Sequence, residues 1–349
     1  MTETAPHTTF APLQALLTQT AFAPLPSLGW LKITGEDRVR WLNGMVTNSV
    51  QALKPGEGCY NFFLNAQGRI QGDGTAFLQD DAILLETSAD RLESLREMLD
   101  RFIIMDDVEL QPLENRAGLL VAGPAAEALL TKLSLGVPDE PLRMELSSFD
   151  GEPVMILHGY SPLVPRFEIW SDPATIGLVS ESLRHAGAVE VSDVDLEQLR
   201  LLEGTPRYGV DIRDKDLAQE TNQTRALHFS KGCYLGQEIV ERVRSRGQVH
   251  RTFAAFTLSG EAPPAGTPIS STDAPDRPVG EITSAATIPL AAGPVTLALG
   301  YIRREFLERN SPLTYPGRER NACDDSLPYL IRSAFVRIPS TLKKQESRE

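Results

Sequence analysis

The stretch with the most chemical content is Lys231-Gly232-Cys233-Tyr234-Leu235-Gly236-Gln237-Glu238. Gly232 and Gly236 bracket a cysteine and a tyrosine, which lets backbone come close to a ligand. Ile239, Val240 and Val243 continue at helical spacing, so Cys233 is predicted just ahead of a helix and beside Lys231. Helix dipole and lysine both favour a thiolate there. The segment reads two ways, as a reactive or ligand-facing thiol or as a structural cysteine buried in a tight turn. Three carboxylates are candidates for gripping a ligand edge rich in donors: Asp73 between Gly72 and Gly74, Glu203 at a helix end, and Glu220 in a long polar loop. Each has an ordinary alternative as a turn residue, a solvated acid or a loop charge. Arg242, Arg244, Arg246 and Arg251 follow the cysteine segment, interrupted by Val243, Gly247 and Val249 in the manner of one face. That pattern suits an anion site; a row of solvated arginines is the alternative. Tyr234 and Tyr208 are candidate aromatic walls, whereas Trp41 and Phe62 read first as core.

Other chemistries find no support. No GxSxG, GxGxxG, GxxxxGK or HExxH occurs, and His7, His158, His185, His228 and His250 are scattered. His228, next to Phe229, reads as a packed histidine. Cys59, Cys233 and Cys323 are too sparse for a disulfide framework, and without a CxxC pair no metal site is expected. A reducing compartment follows, and the cytoplasm is the expected location. A net charge of −13 on 349 residues argues against a phosphate track, so neither direct nucleic-acid binding nor a membrane surface is expected. No apolar run approaches the length of a membrane helix, and the first ten residues lack the basic start and apolar core of a signal peptide.

The elements that must position these residues come in three blocks. In the first, Trp30–Thr34 is a predicted strand, Gly35–Trp41 a short helix, and Tyr60–Leu64 a strand. Asn65-Ala66-Gln67-Gly68 is a turn, and Thr75–Leu78 with Ala82–Leu85 a hairpin. A helix follows from Asp90 to Phe102, on Leu92, Leu95, Leu99 and Phe102, with Ser88 as its cap. Val108–Leu110 closes the block. The second block has strands at Gly118–Val121, Val154–His158, Phe167–Trp170 and Ala188–Val191, and helices at Ala125–Leu133 and Ile176–His185. This is the β-α-β-β-α-β order of a ferredoxin-like unit. A helix over Val194–Leu202, capped by Ser192 and stopped by Gly204, leads into a polar segment, Thr205 to Arg225, long enough to suggest a site lining. The last block is all-β, with strands at Phe253–Leu258, Val279–Thr283, Val295–Tyr301 and Phe335–Ile338, consistent with a small barrel.

At 231–238 the chain resembles the YgfZ-type folate-binding proteins, relatives of the glycine cleavage T-protein, an aminomethyltransferase. Further matching segments span most of the chain: Gly35-Glu36-Asp37 to Leu42 with Val46-Thr47-Asn48; Asn65 to Ile70; Leu199 to Gly204 with Pro206 and Tyr208-Gly209-Val210-Asp211; and Gly280 to Ser284 with Leu299-Gly300-Tyr301. The resemblance implies an α+β fold of the aminomethyltransferase kind, two ferredoxin-like or Greek-key α+β domains around a central cavity plus a C-terminal β-barrel. The corresponding domains are 21–115 with 194–250 for folate, 116–193 for the second α+β domain, and 251–338 for the barrel. Residues 1–20 are an N-terminal extension and 339–349 a disordered tail.

The resemblance also implies that tetrahydrofolate, or a one-carbon derivative, is the cofactor and that iron–sulfur enzymes, including tRNA-modifying ones, are clients. Cys233 and Asp73 would be the reacting groups. Glu203, Lys231, Tyr234, Gln237, Arg242 and Arg251 would contact folate. Three departures stand out. Ser49 occupies a place where relatives carry aspartate. Leu202 occupies the place of the transferase's pterin-holding glutamate, one position before Glu203. Asp73 is the lone acid in the segment Gly68–Gly74. An accessory folate protein, a true aminomethyltransferase and a non-enzymatic scaffold remain as alternatives.

Overall fold

The structure is a computed structural model that describes residues 12–247, 249–272, 274–291, 293–309, 311 and 313–316. His7, Cys323, the expected strand Phe335–Ile338, the tail beyond Pro339 and the side chain of Arg246 lie outside the described residues. The chain divides into two compact units. The first takes in the residues up to Leu199 and Ile212–Val249; the second takes in Arg200–Asp211 and the chain from His250 onward.

The first unit opens with helix α1 (Pro12–Thr18), strands β1 (Ala21–Pro24) and β2 (Leu28–Thr34), and helix α2 (Arg38–Met45). Strands β3 (Gly58–Leu64), β4 (Ile70–Leu78) and β5 (Ile83–Ser88), helix α3 (Leu92–Asp100) and strand β6 (Glu109–Pro112) follow. Then come β7 (Ala117–Ala122), α4 (Ala126–Lys132), β8 (Arg143–Phe149), β9 (Glu152–His158), β10 (Arg166–Ser171), α5 (Pro173–His185) and β11 (Val189–Glu190). Helix α6 (Asp193–Glu203) leads out of this unit, and α7 (Gln237–Arg246) comes near its end.

These strands form two sheets, ordered β3-β4-β5-β2-β6 and β11-β1-β7-β10-β9-β8. The second has the ferredoxin-like helices and strands that the sequence predicts, with two additions. Strand β8, Arg143–Phe149, extends its edge; its exposed Glu145 and Leu146 break the alternation that marks a strand. Strand β1 inserts between β11 and β7, parallel to one and antiparallel to the other. Residues 21–24 therefore pair with the second sheet, not with the block that follows them in sequence.

Alternation along each strand decides what its two faces do. On the first sheet Leu31, Ile33, Phe63, Ala76, Ile83 and Leu85 turn outward and pack with Trp41, Leu42, Leu95 and Leu99 of α2 and α3. On the second, Phe22, Leu119, Val121, Ile156, Phe167 and Ile169 pack with α4 and α5 through Leu130, Val179 and Leu183. Each fully buried side chain of this size contributes about 1.5–3 kcal/mol. The inner faces meet where the Trp30 and Trp170 rings cross at 84° with centroids 5.6 Å apart. The result is helices, sheet, sheet, helices.

Local detail corrects three sequence expectations. Ser88 ends β5 and donates to Asp90 instead of capping α3, whose first turn has no side-chain cap. Phe102 falls beyond α3 and is partly exposed; its carbonyl accepts from Trp41 Nε1. At the start of α6, Asp195 accepts from both the amide and the hydroxyl of Ser192, so the acid does the capping. Gly204 does stop α6. With φ at 63°, its amide reaches Leu201 O at 3.1 Å and the Thr205 amide reaches Arg200 O at 3.2 Å, a Schellman ending.

The second unit is a five-stranded antiparallel sheet, β12 (Arg251–Leu258), β13 (Pro268–Ser271), β14 (Ala274–Leu290), β15 (Gly293–Arg303) and β16 (Leu313–Thr314), with helix α8 (Arg304–Glu308). The strand order is β12-β15-β14-β13-β16. Phe256, Ile269, Ile282, Ala298 and Ile302 form its core. A register shift between Ile282 and Ser284 places both Thr283 and Ser284 on one fully buried carboxylate, Asp211. Thr283 Oγ1 donates to it at 2.5 Å, Ser284 Oγ at 2.8 Å, Arg200 Nη1 at 2.6 Å and the Arg207 amide at 2.9 Å. Thus two sequence segments that match the family, Leu199–Asp211 and Gly280–Ser284, are tied through one acid. Asp211→Ala removes the buried acceptor shared by Arg200, Thr283, Ser284 and the Arg207 amide. It should cost about 3–5 kcal/mol in chemical denaturation of the full chain; a loss below about 1 kcal/mol would mean that this knot is dispensable.

Candidate functional site

The signature loop is spent largely on holding itself and its neighbours. Lys231 turns inward: its Nζ donates to Asn43 O and Val46 O at 2.5 Å each, closing the C-terminal end of α2. An ammonium there answers both the orphan carbonyls and the negative pole of the helix. Burial pulls the Lys231 amine down to about 8, opposed by Cys59 nearby, while burial pushes the Cys59 thiol up to about 11. The Lys231 amine is thus spent on the α2 carbonyls, near Cys59, rather than on Cys233. The Tyr234 ring lies 4.9 Å from Lys231 Nζ, and burial raises its phenol to about 12. Gln237 Oε1 accepts from the Tyr234 amide at 3.2 Å, closing the turn. Gly236 has φ at 81°, and a Cβ there would stand 2.6 Å from Asn65 O. The close approach for which this glycine is needed is therefore to the chain's own Asn65–Gly68 turn.

Cys233 is left exposed, three residues ahead of Gly236, the N-cap of α7. It is not a buried structural cysteine. Arg242 is exposed on α7, and Arg244 pairs with Glu241 and lies over the Phe229 ring at 5.0 Å. Arg251, over the Tyr301 ring at 4.6 Å, belongs to the second unit, as do Tyr208 and Glu203. Glu203 is buried at the end of α6, not a solvated acid. Glu220 Oε2 caps its own 3₁₀ turn, Ala218–Thr221, through the Leu217 amide. Trp41 and Phe62 are core, as read, whereas His228 is exposed rather than packed.

Asp73 has a different setting. It lies on β4, on the inner face of the first sheet, opposite Phe62 and two residues from Thr75, which pairs with both Tyr60 and Glu86. Tyr60 Oη donates to Asp73 Oδ2 at 2.6 Å. Burial raises the Asp73 carboxyl above the usual carboxylate range; the Tyr60 hydroxyl and the Arg225 charge pull it partly back. Burial also drives the Tyr60 phenol well up and the Arg225 guanidinium down. Arg225 is stacked between two tyrosines, its Cζ 4.1 Å from the Tyr60 ring centroid and 4.0 Å from that of Tyr160. Farther along the same face, burial pushes Glu86 well up. The neighbouring Glu168, which burial alone would raise, is held low by Arg166 at 2.8 Å, by Glu86 and by Trp170 Nε1.

Arg225 is held there by a clamp built from Val46-Thr47-Asn48. Asn48 Nδ2 donates to Arg225 O at 2.8 Å and to Tyr60 O at 3.1 Å. Thr47 Oγ1 donates to Ala226 O at 2.6 Å and accepts from the Phe62 amide, and Thr47 O accepts from the His228 amide. The inner face so formed offers a buried carboxyl, a stacked guanidinium and aromatic walls, equipment for a planar ligand with both donors and acceptors. Sequence reasoning missed Arg225, Tyr60 and Tyr160. The only signal was that Arg225 closes the long polar segment expected to line a site.

The fold and this face define a member of the GCVT family: the chain belongs to it, with the family model of the GCVT N-terminal domain matching residues 13–231. It is similar to a putative chloroplastic transferase of Arabidopsis thaliana, 27% identical over 312 residues, 88% of this chain and 71% of that protein. It is similar also to the tRNA-modifying protein YgfZ of Escherichia coli strain SE11, 28% identical over 233 residues, 66% of this chain and 69% of that one. An aminomethyltransferase of Frankia alni is 24% identical over 283 residues, 78% of this chain and 75% of that one. Among solved structures, the glycine cleavage system aminomethyltransferase T of Bartonella henselae superposes with a TM-score of 0.79 at 19% identity, covering 88% of this chain and 85% of that one, which shows a shared fold. Among the described residues, no helix is long and apolar enough to cross a membrane.

The Lys231 assignment is open to a pH test. The amine titrates near 8 in the folded chain and near its ordinary 10.5 when unfolded, so between those values the unfolded chain holds more protons and stability rises with pH. Cys59 works in the opposite sense at higher pH, so the useful quantity is wild type minus Lys231→Met. That difference should grow by up to about 3 kcal/mol from pH 8 to 10.5 in urea unfolding. A flat difference would show that the amine is not buried on the carbonyls of α2.

Proposed function

We propose that this chain binds tetrahydrofolate, or a one-carbon derivative of it, on the inner face of the first unit, and that it serves as an accessory protein to iron–sulfur enzymes, including those that modify tRNA. The observation that carries the ligand assignment is the Asp73–Tyr60–Arg225–Tyr160 group. A reduced pterin presents an amino-pyrimidinone edge, which a carboxyl can grip at two donors, and a flat ring that aromatic walls accept. The relatives named for tRNA modification and for aminomethyl transfer support the assignment from the side of sequence. Asp73 contacts the pterin in this proposal. Lys231 and Gln237 act by shaping the loop, and Tyr234 lines its base. Cys233, exposed at the loop's tip, is the thiol offered to a client protein. Arg242, in the first unit, remains a proposed folate contact, whereas Glu203 and Arg251 belong to the second unit and are not assigned to this face. The proposed location is the cytoplasm.

A second function has one observation in its favour. The upward shift of Asp73 suits a group that exchanges a proton with a reacting amine, as aminomethyl transfer to tetrahydrofolate would require.

Calorimetric titration of the full chain with tetrahydrofolate tests the ligand assignment. Asp73→Asn should weaken binding at least about tenfold, or about 1.4 kcal/mol. Cys233→Ala should leave affinity within about twofold yet fail to restore iron–sulfur tRNA-modifying activity in cells lacking the protein. Unchanged binding by Asp73→Asn would move the ligand elsewhere.

A further inference from the structure

Among the described residues, Arg225 meets fewer acceptors than it has donors. Its Nε donates to Gln223 Oε1 at 3.1 Å, and among those residues neither Nη has a hydrogen-bond partner or a carboxylate within ion-pair distance. Such a charge is held in place by stacking: ring faces 4.1 Å and 4.0 Å from Cζ fix the guanidinium plane between Tyr60 and Tyr160. Its backbone is held by Asn48, so the fork cannot wander to find a partner. A guanidinium that is partly buried, rigid and short of acceptors fits a ligand atom that accepts.

Which acceptor it takes follows from its neighbour. Tyr60 bridges the two groups, its hydroxyl on Asp73 and its ring under Arg225. A ligand satisfying both must offer donors to the carboxyl and, directly alongside, an acceptor to the guanidinium. A 2-amino-4-oxopteridine does so on one edge: the 2-amino group and N3–H donate, and the 4-oxo oxygen accepts. A free carboxylate, such as a glutamate tail, offers acceptors alone and gives the Asp73 carboxyl no donor. A 4-aminopteridine places an N–H donor opposite the Nη donors and leaves the stacked fork without an acceptor.

Resting on the folate assignment above, we infer that Arg225 is a specificity residue that reads the 4-oxo oxygen of the pteridine and rejects 4-amino analogues.

The test is calorimetric titration of the full chain with tetrahydrofolate and its 4-amino-4-deoxy counterpart, then with the same pair of reduced pterins lacking the aminobenzoylglutamate tail. Wild type should prefer the 4-oxo compound by about 30-fold or more in both pairs, since sites built to donate to a ligand oxygen reject analogues without it strongly. Arg225→Met should reduce that preference to about threefold or less, and Arg225→Lys, which keeps charge but loses the fork, should fall between. The wild-type ratio stands independently of whether either variant folds. Equal wild-type affinities for the 4-oxo and 4-amino compounds overturn the inference and leave the folate assignment intact. A preference that disappears without the tail overturns it too, by assigning Arg225 to the tail carboxylate. Failure of wild type to bind tetrahydrofolate at all sinks both.

Discussion

A sheet has two faces, and in the first unit the outward ones are already committed to apolar helices. The inner faces must therefore close on each other, yet they carry Tyr60, Asp73, Glu86, Arg166, Glu168 and Arg225 as well as Trp30 and Trp170. Buried charge is expensive unless it is paired or hydrogen-bonded. The molecule answers in two ways. Where Glu86 and Glu168 face each other, burial favours the neutral form of Glu86 and Glu168 leans on Arg166. Around Asp73, a phenol donates and a guanidinium lies one ring away, but the guanidinium fork is not consumed. In the first arrangement the charge of Glu168 is matched by Arg166, although among the described residues Glu86 Oε1 is left without a hydrogen-bond partner. In the second the cation itself keeps unused donors, and in this respect a binding face differs from a structural one.

The residues that announce the family in sequence act mostly by positioning. Lys231 ends α2, Gln237 ties the Tyr234 amide, and Gly236 lets the loop lie against Asn65. Thr47 and Asn48 fix the backbone from Arg225 to His228. Asp211 joins Arg200 to Thr283 and Ser284. These are places where one atom type at one distance is required, so a motif built from them is specific. Their specificity concerns the fold and the presentation of a site, and the groups presented can be less conspicuous than those presenting them.

That division explains what could be read from the sequence. Periodicity placed nearly every helix and most strands of the first unit, because alternation and helical spacing follow directly from burying one face. It missed β1, four residues long, and β8, an edge strand whose exposed side hides the alternation. The αL stop at Gly204 was legible, since a local backbone need selects glycine. The direction of Lys231 was not: sequence neighbourhood put it beside Cys233, whereas the chain turns and sends the amine to a helix end nearly two hundred residues away in number. Asp73 was legible as a candidate through its chemistry and position. Tyr60, Tyr160 and Arg225 were not, because stacking is a relation across three separate segments that leaves no spacing signal.

Net charge argues against a phosphate track but not against a small anionic ligand at the inner face. At physiological ionic strength, exposed charges more than about 8 Å away are largely screened, so most of the −13 on this chain acts weakly at the inner face. A partly buried guanidinium is screened far less, and its interactions are stronger because the surroundings polarise less than water. Burial itself works against the charged form of Arg225, which its acidic and phenolic neighbours help to offset. The acids on the same face do not cancel this. Asp73 is shifted toward its neutral form, as is Glu86, while the charge of Glu168 is matched by Arg166. The face that an approaching ligand meets is therefore governed by one stacked cation and a carboxyl ready to accept or hold a proton, even though the whole chain is strongly acidic.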